Sequence, residues 1–215
     1  MRCNHIFAYL LALFSWTSHA IVMSPSIVEF NVQKGNSAQI VVTNNTTNKL
    51  PLEASLLELS FNQDGSFTPQ PVNDFDLLVF PPAAILKPGA SQVFRIQWVA
   101  SWTPRQSRSY FVRFSQPPLE NNEQSGIALQ VHYNALLHVY ANNNRANVAL
   151  KVEKDGKATL VNSGNKYTYS SLLTFSQHNQ IIQDTVGTLF IPPNTSLDVQ
   201  SVVNLPAGEY DGYEH

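Results

Sequence analysis

The sequence predicts an all-β protein built from two sandwich modules in tandem, and three observations carry that prediction. Short runs rich in β-branched and aromatic residues alternate with turns bearing Gly, Asn and Pro along most of the chain. No stretch beyond residue 20 sustains an apolar period of 3.6, which limits helices to single turns. The polar break Ala141-Asn142-Asn143-Asn144-Arg145 then divides the runs into a longer group and a shorter one.

Residues 1–20 stand apart from both groups. Arg2 precedes an apolar run from Ile6 to Phe14, and Ser18-His19-Ala20 follows with small residues at its first and third positions. This is the pattern of a secretory signal cut after Ala20. The apolar run is roughly half of the ~20 residues needed to span a bilayer, so no membrane insertion is expected. The single cysteine, Cys3, leaves with the signal, which predicts an exported mature chain without a disulfide. Without Arg2, 12 Lys and Arg face 15 Asp and Glu, a formal charge of −3. With no basic excess or cluster, the composition excludes a nucleic-acid binder.

The first module, residues 21–141, is read as strands at Ile27–Val32, Ala38–Thr43, Leu52–Phe61, Leu77–Phe80, Gln92–Val99 and Tyr110–Phe114, followed by one long strand. Turns fall at Gln33-Lys34-Gly35-Asn36, Asn44-Asn45-Thr46-Thr47, Asn62-Gln63-Asp64-Gly65 and Lys87-Pro88-Gly89, where Gly and Asn supply positive φ. About seven strands in about 120 residues indicate an immunoglobulin-like sandwich. The second module, residues 142–215, shows further runs at Val148–Glu153, Ala158–Asn162, Ser171–Ser176, Ile181–Gln183, Gly187–Ile191 and Ser196–Val203. It is β again, but short or incomplete for a sandwich.

The long strand is the most informative segment. From Ile127 to Tyr140 every odd position is apolar (Ile127, Leu129, Val131, Tyr133, Ala135, Leu137, Val139), while the even ones are mostly polar. At about 3.3 Å per residue it would reach roughly 45 Å, well beyond an ordinary strand. Either it bends between two sheets, or part of its apolar face is reserved for another chain.

Nothing in the sequence points to catalysis. His132 and His138 share a strand face but lie about 20 Å apart, too far to share a metal. There is no G-x-S-x-G elbow, no H-E-x-x-H and no Gly-rich phosphate loop. The reading is a non-enzyme with no metal and no cofactor. Trp98 and Trp102 sit on or beside a strand and read as core and loop residues, not as a carbohydrate platform.

The segment Phe80-Pro81-Pro82-Ala83-Ala84-Ile85-Leu86-Lys87-Pro88-Gly89-Ala90-Ser91-Gln92-Val93-Phe94-Arg95-Ile96 resembles the periplasmic pilus chaperones of the chaperone/usher pathway. In that family a Pro-Pro, an apolar pair, a Pro-Gly turn and an arginine-bearing strand follow in this order. Ser109–Phe114 followed by Pro117-Pro118 is similar to the family's next strand, and Leu129-Gln130-Val131 to the start of its donor strand. The resemblance covers Ser24 to about Tyr140 and extends loosely into the second module. It implies a periplasmic chaperone that binds pilus subunits by lending them a strand and delivers them to an outer-membrane usher. Leu129, Val131, Tyr133, Ala135 and Leu137 would then plug the subunit's groove. The family's first-strand arginine and donor-strand lysine, which anchor the subunit's carboxylate, align with Ile27 and His138. With both anchors replaced, the chain looks more similar to the archaic or alternative branch, and Arg113, Arg95 and His138 are the positions to consider for that role. The alternative is a secreted immunoglobulin-like structural or adhesive pilus subunit, though Ile21–Ser26 is short for the N-terminal donor segment a subunit carries.

Overall fold

Two facing sheets are formed by strands drawn alternately from the first 140 residues. The computed structural model describes residues 21–72, 75–117, 130–199 and 205–214. One sheet runs β1 (Ile21–Ser24), β3 (Ser37–Asn44), β8 (Ser91–Trp98), β6 (Leu77–Phe80). The other runs β2 (Ile27–Asn31), β10 (His132–Tyr140), β9 (Arg108–Ser115), β4 (Leu50–Phe61), β5 (Phe67–Pro71), with β7 (Ala83–Leu86) also on β4. Period-two alternation turns one side of each strand inward. Ile40, Val42, Phe94 and Ile96 from the first sheet meet Leu52, Val112, Phe114, Leu137 and Val139 from the second, all essentially without exposure. The Phe94 and Phe114 rings lie 4.7 Å apart between the sheets.

The turn Asn44–Thr47 is rigid because buried Asn44 donates to the carbonyls of Asn48 and Leu86, while its Oδ1 accepts from Thr46 N–H. A buried amide is affordable only when its polar atoms are all bonded in this way.

A second core lies beyond the break. β11 (Val148–Val152), β12 (Ala158–Asn162), β14 (Leu173–Phe175), β16 (Thr195–Val199) and β17 (Gly208–Glu214) form a sheet in the order β14-β17-β11-β12-β16. β13 (Thr168–Tyr169) pairs with β15 (Phe190–Ile191). Leu150, Leu160, Ile182 and Ile191 are fully buried at its centre. β17 occupies the middle of the sheet although its sequence, GEYDGYE, is polar; only Tyr210 is buried.

Three expectations need correction. Ile181–Gln183 is not a strand: it lies in α1 (Asn179–Val186), a two-turn helix. Its apolar positions Ile182 and Val186, four apart, are buried, a pattern too short to register as periodicity. Ser171–Leu172 belongs to a 3₁₀ turn. Finally, the long strand starts at His132 and stays in one sheet instead of bending between two. Residues 127–129, like the signal with Cys3 and its cleavage point Ala20, lie outside the described residues.

The break at 141–145 is not slack. Buried Asn144 bonds Ala141 N–H and the carbonyls of Pro104 and Arg105, tying the connection to the first module. Among the described residues no helix is long and apolar enough to cross a membrane.

Candidate functional site

Among the described residues the site is an unpaired sheet edge, and it arises from how far β2 reaches. β9 pairs with β10 antiparallel from His132 to Val139, whereas β2 pairs with it in parallel only from Leu136 to Tyr140. Before β2 the chain crosses to the other sheet as β1, so that between His132 and Ala135 no described strand covers the far side of β10. Alternation identifies the unpaired groups. Leu136 N–H donates outward to Ser26 C=O, and Val131 C=O accepts from Gln116 N–H on the β9 side. The backbone groups of Asn134 and His132 therefore face the open edge, as Leu136's do. An edge of this kind is a template for strand addition.

The odd side chains divide along the strand. Ala135 and Leu137 are fully buried in this module's own core, with Val139 beside them. This corrects the expectation that Ala135 and Leu137 face a partner: from position 135 on, the inward side chains of β10 are covered by this chain's own core. Tyr133 is half-buried at the mouth of the sandwich, and Val131 is half-buried just before the strand starts. Leu129 lies outside the described residues.

The candidate anchors are scattered. Arg113 projects from the outer face of β9, half-exposed, and donates from Nε to Asn134 Oδ1 at 3.1 Å, directly beside the open edge. Arg95 is exposed on β8, in the other sheet, between Gln39 and Phe80; it does not reach this edge, which corrects its candidacy. His138 is completely buried. Its Nδ1 is hydrogen-bonded to Ser109 Oγ at 2.8 Å and its Nε2 to the Tyr169 hydroxyl at 2.9 Å. Its ring stacks against Tyr167, centroids 4.0 Å apart, and Phe190, 4.9 Å apart. Burial holds its pKa down to about 3, so the ring is neutral. A neutral, enclosed imidazole with both nitrogens bonded is no carboxylate anchor, and that expectation is corrected as well.

Sequence reasoning missed an apolar band on the outer face. Ile27, Leu136, Phe111 and Leu57 stand in register across four strands. Phe67 packs on Phe111 at 5.8 Å and on Phe61 at 6.0 Å, and Phe61 reaches Phe190 of the second module at 5.6 Å. Its one sequence signal is that even positions such as Leu136 break the polar alternation. His132 Nδ1 and Ser115 Oγ are 2.8 Å apart, but Glu53 stands in register with Ser115, not beyond the histidine. The serine thus sits between base and carboxylate, the wrong order for an activated nucleophile. Among the described residues no group of His, Cys, Asp or Glu is placed to hold a metal.

No protein-family model matches the sequence, and no curated protein matches it. Solved structures do match over most of the chain. The class 5 fimbriae chaperone CfaA aligns with a TM-score of 0.60 at 14% identity, covering 91% of this chain and 93% of its own. The CsuC–CsuE chaperone–tip adhesion subunit pre-assembly complex, from the archaic chaperone-usher Csu pili of Acinetobacter baumannii, provides a match with TM-score 0.57 at 14% identity, covering 84% of this chain and 90% of the other. A third match comes from the Salmonella enterica SafA pilin in complex with the SafB chaperone, with TM-score 0.56 at 16% identity over 92% and 97%. These alignments span 84–92% of this chain and so extend over both of its modules. The chain thus shares the fold of solved chaperones of fimbrial and chaperone-usher systems, among them the periplasmic chaperone SfaE.

Proposed function

We propose that this protein is a non-enzymatic periplasmic chaperone that stabilises pilus subunits by donor-strand complementation and passes them to an outer-membrane usher. The observation that carries this reading is the edge of β10 from His132 to Ala135, which no described strand covers, beside inward side chains that fill this chain's own core only from Ala135 onward. A subunit lacking a strand could pair its own edge with the outward backbone groups of His132 and Asn134, and receive the side chains that precede and begin the strand, Leu129, Val131 and Tyr133. Arg113, beside that edge, is the residue we assign to a subunit carboxylate. The signal-like residues 1–20 and the lack of cysteine after Cys3 suit export to the periplasm.

The test is co-purification of a co-exported pilus subunit. Val131→Asp puts a charge into the subunit's groove and should abolish capture, because an unpaired buried charge is strongly unfavourable. Thermal melting of the free variant should match the wild type. Capture at the wild-type level by Val131→Asp would sink the donor-strand reading. Mature protein retaining Met1 would remove its export.

A further inference from the structure

The buried ring of His138 sits where the two modules meet, and it belongs to the same strand as the open edge. It is the side chain of β10 that lies four residues beyond Asn134 on the same outer face. Ser109, its partner at Nδ1, belongs to β9 of the first module, whereas Tyr169 at Nε2 and the flanking rings of Tyr167 and Phe190 belong to the second. Burial, and after it the nearby Glu29 carboxylate on β2, push the pKa of the Tyr167 hydroxyl up. Further bonds close the joint around this centre: Tyr167 N–H donates to Ser109's neighbour Ser107 at Oγ, 2.8 Å, and Ser196 N–H donates to Gln63 C=O at 2.6 Å.

A second module whose position is set through β10 itself has its orientation fixed relative to the edge a partner would join. We propose that His138 is a positioning residue: its ring keys the second module onto β10, so that the open edge and the second module form one preformed surface. This rests on the strand-addition reading and adds that the angle between the modules is part of the binding device. A preformed surface binds more tightly than one that must be ordered on contact. The polar atoms of the joint also give it discrete geometry, because the two ring nitrogens of His138 are bonded to groups of different modules.

The experiment uses the full mature chain and three variants. His138→Ala empties the slot, Tyr169→Phe deletes one hydroxyl outside both cores, and His138→Gln keeps a side-chain amide able to reach that hydroxyl. The wild type should unfold in one calorimetric transition and show one narrow distribution of dimensions in small-angle X-ray scattering. His138→Ala should split the transition, broaden the distribution and weaken capture of the same co-exported subunit by about tenfold or more. Tyr169→Phe should move all three in the same direction to a lesser degree, and His138→Gln should recover part of the capture. If His138→Ala does not fold, Tyr169→Phe decides alone. A single transition with wild-type scattering in both Tyr169→Phe and His138→Ala overturns the proposal, and so does a loosened joint that still captures normally. Because Val131 is remote from the joint, wild-type capture by Val131→Asp would instead show the strand-addition reading itself to be wrong.

Discussion

Two neighbours on one strand, Tyr133 and Ala135, differ in what surrounds them, and the difference sets what mutation does. Leu137, fully buried among both sheets, should lose about 2–5 kcal/mol of stability on change to Ala, whereas Val131→Ala should stay within about 0.5 kcal/mol. Urea titration of the two variants checks the contrast, and equal losses would place Val131 in the core. His138 makes a second residue-level prediction. Its pKa is depressed to about 3 in the fold, against about 6.5 when the chain is unfolded. Between those values the unfolded state binds a proton that the native state excludes. The contribution of the neutral ring is thus fully present above about pH 6.5 and declines by up to ~1.4 kcal/mol per unit as pH falls toward 3. Unfolding free energies at pH 7.5 and 5 should therefore diverge less in His138→Gln than in the wild type. Parallel pH dependences would mean that the ring is not desolvated.

At the scale of the element, β10 is asymmetric in its backbone. The N–H of Asn134 faces the open edge, while that of Ala135 is directed at β9. Proline removes an N–H, which matters only where the N–H is used. Asn134→Pro should leave the free chain within about 1 kcal/mol of the wild type and block strand addition, whereas Ala135→Pro should cost about 3 kcal/mol or more. Circular-dichroism melting together with subunit co-purification separates the two cases, and a reversed order would invert the assigned register. The same alternation was legible in the sequence from Val131 to Val139, because side chains facing a core must recur at every second position. Where that apolar face stops serving the chain's own core was not legible. Full burial stops between Ala135 and Tyr133, where β2 no longer flanks β10, and nothing in an alternating pattern records where a neighbouring strand stops.

The whole molecule is held at its joint by close approaches that tolerate no extra atom. Gly164 lies against the backbone of Arg145 and Asn147, where a Cβ would meet the Arg145 carbonyl and the Asn147 nitrogen. Gly164→Ala should therefore disturb the connection and destabilise the protein by about 1–3 kcal/mol, measured by denaturant unfolding, while Gly35→Ala, in open space, should be near neutral. By itself the sequence determined the all-β class, most strand positions of the first module, the break near residue 141 and the family likeness. The first three follow from local chemistry: period-two apolar patterning, β-branched content, and turns that need Gly, Asn or Pro; the likeness rests on the order of the Pro81-Pro82, Pro88-Gly89 and Arg95-bearing segments. Only the tertiary structure decided that Arg113 stands beside the open edge while Arg95 lies on the opposite sheet, that His138 is enclosed by rings more than 25 residues later, and that polar β17 runs through the middle of a sheet. Those facts depend on which strands pair across long separations, and such pairing is decided by the combined burial of both sheets, which no single segment encodes.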